Sequence, residues 1–341
     1  MKAFFLLLGM VAAYFFVSLL TCLVRRYAIK SAILDYPNER SSHTHVTPKG
    51  AGAAIAAPFM VVLLIMAAAG WLRSNDAAAL IGGGAIVSWA GWMADRGRGS
   101  IRLRLALHFT AVLWVLVWLG GAPSMRVGSI IIDWPFVNYC LAFLGAVWLI
   151  NLYNFMDGID GIAAVEAITT ALAAGVLFYI QELYALAYAS ALLAAFAAGF
   201  LSWNWPPAKI FMGDVGSGFL GFLFAVLALI SARQAPETLW AWAILLGVFL
   251  ADSMVTLIRR LRRGTKWHEA HKRHAYQHAA RRFGHKAVTL AVFAINIFWL
   301  VPLALWAALN PSHAFIAFII AYVPLVFLAF RFKSGEDAVI V

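Results

Sequence analysis

Four aspartates stand at the ends of long apolar runs, where an unpaired carboxylate is unfavourable. They are Asp95, Asp157, Asp160 and Asp214. A cation is the natural partner for acidic oxygens in such surroundings, and the neighbouring glycines allow close approach, which favours magnesium or manganese over zinc. A single aspartate could equally cap a helix. Because four of them share one predicted face, metal and phosphate chemistry is the better interpretation.

Two of these carboxylates are three residues apart, in Asp157-Gly-Ile-Asp160-Gly. If this segment turns helically, both side chains project to one side, and either could cap the next helix or contact a metal. Asp214 lies in the glycine-rich turn Gly213-Asp-Val-Gly-Ser-Gly218, which opens another apolar run. Free amides and the helix dipole favour an anion there. Membrane helices also use glycine for packing, so the turn alone is a weak indication.

A third polar segment, residues 259–286, contains ten Lys and Arg residues together with several histidines. His271 and His274 have the spacing of zinc ligands. No cysteine is nearby, however, and the basic residues would repel a cation and attract phosphate. Phosphate or nucleotide binding is therefore the favoured interpretation, and a basic loop that contacts lipid headgroups is the alternative.

The composition assigns these polar segments to a membrane protein. Of 341 residues, 64% are hydrophobic and only 12% are charged, with a mean hydropathy of +0.85, which leaves too little polar surface to coat a soluble globule. Cationic loops beside anionic headgroups explain the formal net charge of +11, so we expect contact with the lipid bilayer and no nucleic-acid binding. Cys22 and Cys140 lie in apolar runs and are expected to be core residues.

Eleven apolar runs approach the roughly 20 residues that a spanning helix needs. They are 3–24, 51–72, 77–94, 104–120, 136–153, 161–180, 183–203, 216–231, 239–258, 287–308 and 313–331. The predicted fold class is all-α, a polytopic transmembrane bundle of about eleven helices forming a single domain over residues 1–341. One set of loops carries only Lys2, Arg73, Arg126 and Arg233, and the other carries the remaining 22 of 26 basic residues. The positive-inside rule then predicts an external N-terminus, an internal C-terminus and cytoplasmic polar segments.

Four motifs, in their order and spacing, resemble those of the polyprenyl-phosphate N-acetylhexosamine-1-phosphate transferases, a membrane group within glycosyltransferase family 4. The match spans about residues 35 to 280. The motifs are Asp35-x-Pro37…Arg40-x-Ser42-His43, Asn151-x-x-Asn154-x-x-Asp157-Gly-x-Asp160-Gly, Gly213-Asp214-x-Gly-Ser217 and His271-x-x-His274-x-Tyr276-Gln277-His278. Any one of them would be weak, but four in register are specific.

The resemblance implies transfer of an N-acetylhexosamine 1-phosphate from a UDP-sugar to undecaprenyl phosphate, with release of UMP. It also implies dependence on magnesium or manganese and an active site at the cytoplasmic face of the bacterial inner membrane. The interior Ala275-Tyr276-Gln277 is similar to members that initiate O-antigen for lipopolysaccharide, so a cell-envelope glycan of that type is the expected product. A homodimer is an oligomeric state that the sequence leaves open.

The resemblance also implies roles for individual residues. It makes Asp214 the metal-binding carboxylate and places Asp157 and Asp160 in the nucleotide and metal region. The candidate catalytic residues are Asp95, Asp157 and Asp160, and the candidate metal ligands are Asp214 and Asp157. The candidate substrate-binding residues are Lys49, Asn151, Asn154, Gly213, Ser217, His271, His274, Tyr276, Gln277 and His278.

The chain departs from the family at Ala94-Asp95-Arg96, where paired aspartates are usual. Asp95 is the surviving candidate for a base or a magnesium ligand. Three explanations stay open: Asp95 suffices, the acceptor phosphate dianion needs no base, or the enzyme is impaired. A membrane transporter or channel for an ion or phosphorylated solute is the alternative function, since intramembrane acids also mark ion pathways. That class predicts acids near the bilayer centre and paired halves, and the sequence shows no repeated halves.

Overall fold

The computed structural model of the protein describes residues 2–37, 45–264 and 272–336. Fourteen α-helices make up most of these residues. They are α1 (Lys2–Lys30), α2 (Ala53–Ala68), α3 (Ser74–Asp95), α4 (Ile101–Trp118), α5 (Pro135–Met156), α6 (Ile162–Ile180), α7 (Tyr184–Asn204), α8 (Gly213–Gln234), α9 (Thr238–Leu245), α10 (Gly247–Arg262), α11 (Ala275–Phe283), α12 (His285–Ile295), α13 (Val301–Leu309) and α14 (Ala314–Arg331).

Short irregular elements connect some of the helices. Two antiparallel hairpins are present, β1 (Leu34–Asp35) with β2 (Thr47–Pro48), and β3 (Met125–Val127) with β4 (Ile130–Ile132). A π-helical turn over Asn296–Leu300 joins α12 to α13. A 3₁₀ turn over Pro311–His313 precedes α14.

The helices agree with the hydropathy pattern. In the ranges that the structure describes, nine helical stretches are long and apolar enough to cross a membrane, and α9 with α10 makes a tenth if this pair, bent by 78°, forms one broken span. The 16-residue α2 is apolar but shorter. Each of the eleven predicted runs is helical, which confirms an all-α polytopic bundle. A count of eleven spans requires both α2 and the bent pair, and the orientation in the membrane stays a prediction.

Helix α8 forms the centre of the bundle. Of the 18 most apolar consecutive residues of α8, 94% are buried inside the protein, whereas only 11% of the corresponding residues of α1 are buried. Small residues allow neighbouring backbones to come close, so that a side chain at Gly221 would lie 2.6 Å from the Leu149 carbonyl oxygen of α5. Helices surrounded by lipid gain little from burying apolar surface against each other, so close contact through small residues is what packs them.

Polar contacts between elements gather at two ends of the bundle. At one end, Arg126 pairs with Glu237 at 3.5 Å and Ser231 donates to Gln181 at 2.8 Å. The other end contains the last residues of α3 and α5 and the first residues of α8 and α11. All four aspartates predicted to do chemistry lie there, and we call it the site end.

Candidate active site

Asp95 and the start of α8 form the most tightly built part of the site end. Asp95 is the last residue of α3, and its Oδ1 accepts the Asp214 backbone N–H at 2.9 Å while its Oδ2 accepts that of Val215 at 3.2 Å. A carboxylate in this position satisfies free N–H groups of the first turn and complements the helix dipole. Asp95 therefore caps α8 from another helix and fixes the position of Asp214.

Glycines are required around this cap. Gly213 has a φ of +76°, and a side chain there would lie 2.7 Å from both Asp95 carboxylate oxygens. A side chain at Gly91 would lie 2.5 Å from the Asp214 carbonyl oxygen, and one at Gly52 would lie 2.1 Å from the Gly216 Cα. The starts of α2 and α8 and the end of α3 thus pack backbone against backbone. The predicted glycine-rich turn serves this packing as well as the helix terminus.

The Asp214 side chain is held by two neighbouring helices, α4 and α5. Its Oδ2 accepts a hydrogen bond from the Arg104 guanidinium of α4 at 2.6 Å, and its Oδ1 accepts one from the Asn154 amide of α5 at 3.0 Å. The same Asn154 nitrogen donates to the Ser217 hydroxyl at 2.9 Å. Asn154 and Ser217, predicted as substrate-binding residues, are thereby brought onto Asp214. Sequence reasoning missed Arg104 as a site residue, although a charged residue in the first turn of an apolar helix is a usable indication.

Asp157 follows α5 and has different surroundings. Its carboxylate is half-buried and has no hydrogen-bond or ion-pair partner among the residues that the structure describes. Burial, followed by the negative charges of Asp214, Asp95 and Asp160, raises the pKa of Asp157 well above its usual range. A partly buried carboxylate beside three others is a position where a cation would be stabilised.

Asp160 holds the same turn to its neighbours. Its Oδ2 accepts the Ala208 backbone N–H at 3.0 Å, and the His285 Nδ1 at the start of α12 lies 3.3 Å away. Thr289 of α12 donates to the Asp160 carbonyl oxygen at 2.9 Å. The segment 157–161 is not helical, so its two carboxylates have separate environments. Asp160 binds protein groups, whereas Asp157 has no partner in residues 2–37, 45–264 and 272–336.

Helix α11 carries the predicted histidine motif and packs over the Asp157 turn. The Tyr276 hydroxyl donates to the Phe155 carbonyl oxygen at 2.9 Å, and a side chain at Gly158 would lie 2.0 Å from that hydroxyl. Burial raises the pKa of Tyr276 well above its usual range, so its hydroxyl stays a donor. His274 and Gln277 cap α11 reciprocally, with the His274 N–H donating to the Gln277 Oε1 at 3.3 Å.

His278 is the more exposed of the histidines described in the motif. Its Nε2 lies 3.2 Å from the Glu336 carbonyl oxygen. Burial, and then the charge of Arg281, lowers the pKa of His278 below its usual value. His271 lies outside the described residues.

A basic cavity opens onto Asp214. It has a volume of about 310 Å³, and Lys49, Arg98, Arg104 and Asp214 line it together with Ala94. Positive side chains around one carboxylate suit an anionic ligand that binds with a cation. Lys49, predicted from the sequence, is therefore in a position to meet phosphate. Asn151, the first residue of its motif, donates to the Val147 carbonyl oxygen of its own helix at 2.7 Å.

The carboxylates of the site end suit a divalent cation that is coordinated partly by the protein and partly by the phosphates of a bound substrate. In residues 2–37, 45–264 and 272–336, no three His, Cys, Asp or Glu side chains form a group that could hold a metal ion. Magnesium, however, is commonly bound by one or two carboxylates, with substrate phosphates and waters completing its coordination. Asp157, which has no partner in the described part of the chain, and Asp214, on the cavity wall, provide two such carboxylates.

Fold and site together define a polytopic helical membrane protein with a basic cavity whose charge suits a phosphorylated ligand. The sequence pattern of Glycosyl transferase family 4 matches residues 77–232. A Mycobacterium leprae decaprenyl-phosphate N-acetylglucosaminephosphotransferase is 30% identical over 329 residues, covering 84% of this chain and 80% of that protein. A Bacillus subtilis protein named as a probable undecaprenyl-phosphate N-acetylglucosaminyl 1-phosphate transferase is 29% identical, covering 90% of this chain and 88% of its own length.

The chain belongs to this family, the polyprenyl-phosphate N-acetylhexosamine-1-phosphate transferases of glycosyl transferase family 4. The resemblance of the four motifs is thereby confirmed. A Streptococcus agalactiae phospho-N-acetylmuramoyl-pentapeptide-transferase is also similar, at 29% identity, but over only 42% of this chain. Family membership favours a transferase over the alternative of a transporter or channel.

Proposed function

We propose that this protein transfers an N-acetylhexosamine 1-phosphate from a UDP-sugar to undecaprenyl phosphate and releases UMP. The observation that carries this proposal is the basic cavity on Asp214, with the Asp157 carboxylate nearby, which no other described residue binds. The diphosphate of a nucleoside diphosphate sugar is stabilised by positively charged side chains and by a divalent cation. The site end offers basic side chains for the first purpose and carboxylates for the second. The relatives that cover most of the chain are named for N-acetylglucosamine, so UDP-N-acetylglucosamine is the first donor to test.

Magnesium, with manganese as a substitute, is the proposed cofactor. Asp157 and Asp214 would hold it, and Arg104 would turn from Asp214 to the donor phosphates. When bound, the ion neutralises charge on the diphosphate and polarises its phosphorus–oxygen bonds. Asn154 keeps Asp214 in place through this change because it binds the other carboxylate oxygen.

The proposed step is an in-line displacement at phosphorus. An oxygen of the acceptor phosphate forms a bond to the sugar-bearing phosphorus, and the bond from that phosphorus to the bridging oxygen breaks. UMP leaves with that oxygen, and a lipid diphosphate remains. Arg104, Arg98 and Lys49 offset the charge of two anions that must meet, and alignment contributes the rest.

No side-chain base is needed in this mechanism. A phosphate monoester has a second pKa of about 6, so its dianion predominates at neutral pH. Asp95 already accepts two backbone N–H groups, which gives it the task of holding α8. Ala94 lines the cavity. Because it stands where the family usually has an aspartate, the cavity wall has one carboxylate fewer, while the cap that Asp95 forms on α8 is intact.

The proposed location is the bacterial inner membrane, with the site end at the cytoplasmic face. The distribution of basic residues favours this orientation, and cytoplasmic UDP-sugars would then reach the cavity directly. We further propose that the product initiates a cell-envelope glycan of the O-antigen type. The similarity of Ala275-Tyr276-Gln277 to O-antigen-initiating members supports that choice.

The decisive experiment uses the purified full-length protein in lipid nanodiscs with undecaprenyl phosphate and magnesium. We expect UMP release from UDP-N-acetylglucosamine, and a panel of UDP-N-acetylhexosamines would rank the donors. A transporter or channel releases no UMP, so absence of release across the whole panel would overturn the proposal. Chelation with EDTA should abolish turnover, and added magnesium should restore it.

A further inference from the structure

The chain after α14 returns to the site end and contacts both α10 and the start of α11. We define residues Ser334–Glu336 as the post-α14 segment. Ser334 is fully buried, and its hydroxyl donates to the Asp252 Oδ1 of α10 at 2.8 Å. The Gly335 N–H donates to the Arg273 carbonyl oxygen at 2.6 Å, just before α11. The segment therefore joins α10 to the start of α11.

Asp252 is the centre of this connection. The Asp252 Oδ1 accepts the Ala275 backbone N–H at 2.8 Å, and its Oδ2 accepts that of Tyr276 at 3.0 Å. Asp252 thus caps α11, while Ser334 and Thr256 also donate to its Oδ1. These four donors satisfy the buried Asp252 carboxylate and fix its position between α10, α11 and the post-α14 segment.

Further contacts hold the post-α14 segment against α10 and α11. Glu336 forms ion pairs with Arg259 and with Arg263, the latter at 3.4 Å. Its carbonyl oxygen meets His278 at 3.2 Å. Gly335 has a φ of +79°, and a side chain there would lie 2.9 Å from the Arg259 Cβ, so the turn requires glycine.

Helix α11 connects the post-α14 segment to the turn that contains Asp157. Tyr276, two residues into the capped turn, binds the Phe155 carbonyl oxygen and leaves no room for a side chain at Gly158. The path from Ser334 to Asp157 therefore runs through Asp252, the first turn of α11 and Tyr276. We propose that the post-α14 segment sets the position of α11 for donor binding, with Ser334 and Asp252 as its positioning residues. This inference rests on the proposed function.

The test compares Ser334→Ala with Ser231→Ala in full-length protein in nanodiscs. Ser231 is equally buried and its hydroxyl is also hydrogen-bonded, to Gln181 and Thr238, but it lies at the opposite end of the bundle. The measurements are the Kd for UMP by calorimetry with manganese present, KM and kcat for UDP-N-acetylglucosamine, and the thermal midpoint. We expect Ser334→Ala to raise the Kd and KM by about 3- to 10-fold with kcat within twofold, the scale of one buried hydrogen bond.

The control separates positioning from general stabilisation. Ser231→Ala should lower the thermal midpoint by about as much as Ser334→Ala does, but it should leave the Kd for UMP unchanged. If both variants lose stability and neither changes the Kd, the positioning role is wrong. If Ser334→Ala does not fold, Glu336→Gln tests the same segment at a partly exposed side chain, with an expected rise in Kd of about twofold; an unchanged Kd for this variant would then reject the proposal. A wild type that binds no UMP contradicts the proposed function instead.

Discussion

Two helices at the site end begin in the same way but are held differently. A buried aspartate from another helix accepts two successive backbone N–H groups in each case, Asp95 for α8 and Asp252 for α11. Around Asp95, glycines bring backbones into direct contact, whereas the Asp252 Oδ1 is shared with two hydroxyl groups. The α8 cap is part of the packed centre, and the α11 cap depends on a segment that arrives from the end of α14.

The difference suggests a division of tasks. The α8 side holds Asp214, which would contact the cation and the reacting phosphates. The α11 side holds Tyr276, whose hydroxyl binds the Phe155 carbonyl oxygen next to the turn that follows α5. We therefore expect changes on the α8 side to lower kcat and changes on the α11 side to weaken donor binding.

The largest expected effect comes from Asp214, the group that the α8 side positions. Asp214→Asn should lower kcat by roughly 1,000-fold, about 4 kcal/mol of transition-state stabilisation, because a neutral amide binds a cation poorly. UMP release under saturating substrates measures this loss. Asp133→Asn, an exposed aspartate at the opposite end, is the control and should keep wild-type turnover. Full turnover by Asp214→Asn would remove this residue from the metal site.

Exchanging the two capping aspartates for asparagine tests the comparison directly. In each variant the amide oxygen still accepts one N–H, while the NH₂ group faces the second, so one bond is lost. Asp95→Asn should lower kcat by about 100-fold, and Asp252→Asn should raise the donor KM by about 10-fold, within the range for an unsatisfied buried group. Steady-state kinetics on both proteins separates the two effects. The same pattern in both variants would mean that the two caps have one shared task.

A smaller effect, on stability, is expected from the glycine beneath the α8 cap. Gly213→Ala should destabilise the protein by roughly 2–4 kcal/mol, because it adds both left-handed strain and a collision with the Asp95 carboxylate. The control is Gly70→Ala, since Gly70 has a φ of +72° but nothing within 4 Å of an added side chain. It should lose only about 1–2 kcal/mol, the strain alone. Thermal midpoints in matched nanodiscs distinguish them, and equal losses would argue against the collision.

The smallest effect is expected at Ala94, beside the α8 cap. Ala94→Asp restores the family's paired aspartates and adds a carboxylate to the cavity wall. If the acceptor dianion attacks without a base, kcat should change by less than about threefold, well under the roughly 100-fold that a general base contributes. Initial rates of UMP release at neutral pH measure the change. A rise of 100-fold would identify a base that this chain lacks.

Much of the fold could be predicted because the bilayer makes it a local problem. A spanning segment must satisfy its own backbone hydrogen bonds, so an apolar run of sufficient length becomes a helix wherever it packs. All eleven predicted runs are helices for this reason. The 78° bend between α9 and α10 was not predictable from hydropathy, which continues through it and carries no information on direction.

The candidate site divides in the same way. The motifs predicted Asp214, Asn154 and Ser217 as members of one site, and these three side chains are hydrogen-bonded to one another or to a common partner. Arg104 and Ser334 were not predicted as site residues, because the sequence around them does not identify their partners. Their partners lie 110 and 82 residues away in the chain.

The sequence by itself determined the spanning helices, the segments that carry chemistry and the family. The tertiary structure decided the role of each aspartate. Asp95 and Asp252 cap helices, and Asp160 connects its turn to residues outside it. Asp214 pairs with Arg104, and Asp157 has no partner among the described residues. A carboxylate acquires its role from the donors and charges around it. In a helical bundle those neighbours come from helices far apart in the chain, so only their packing can bring them together.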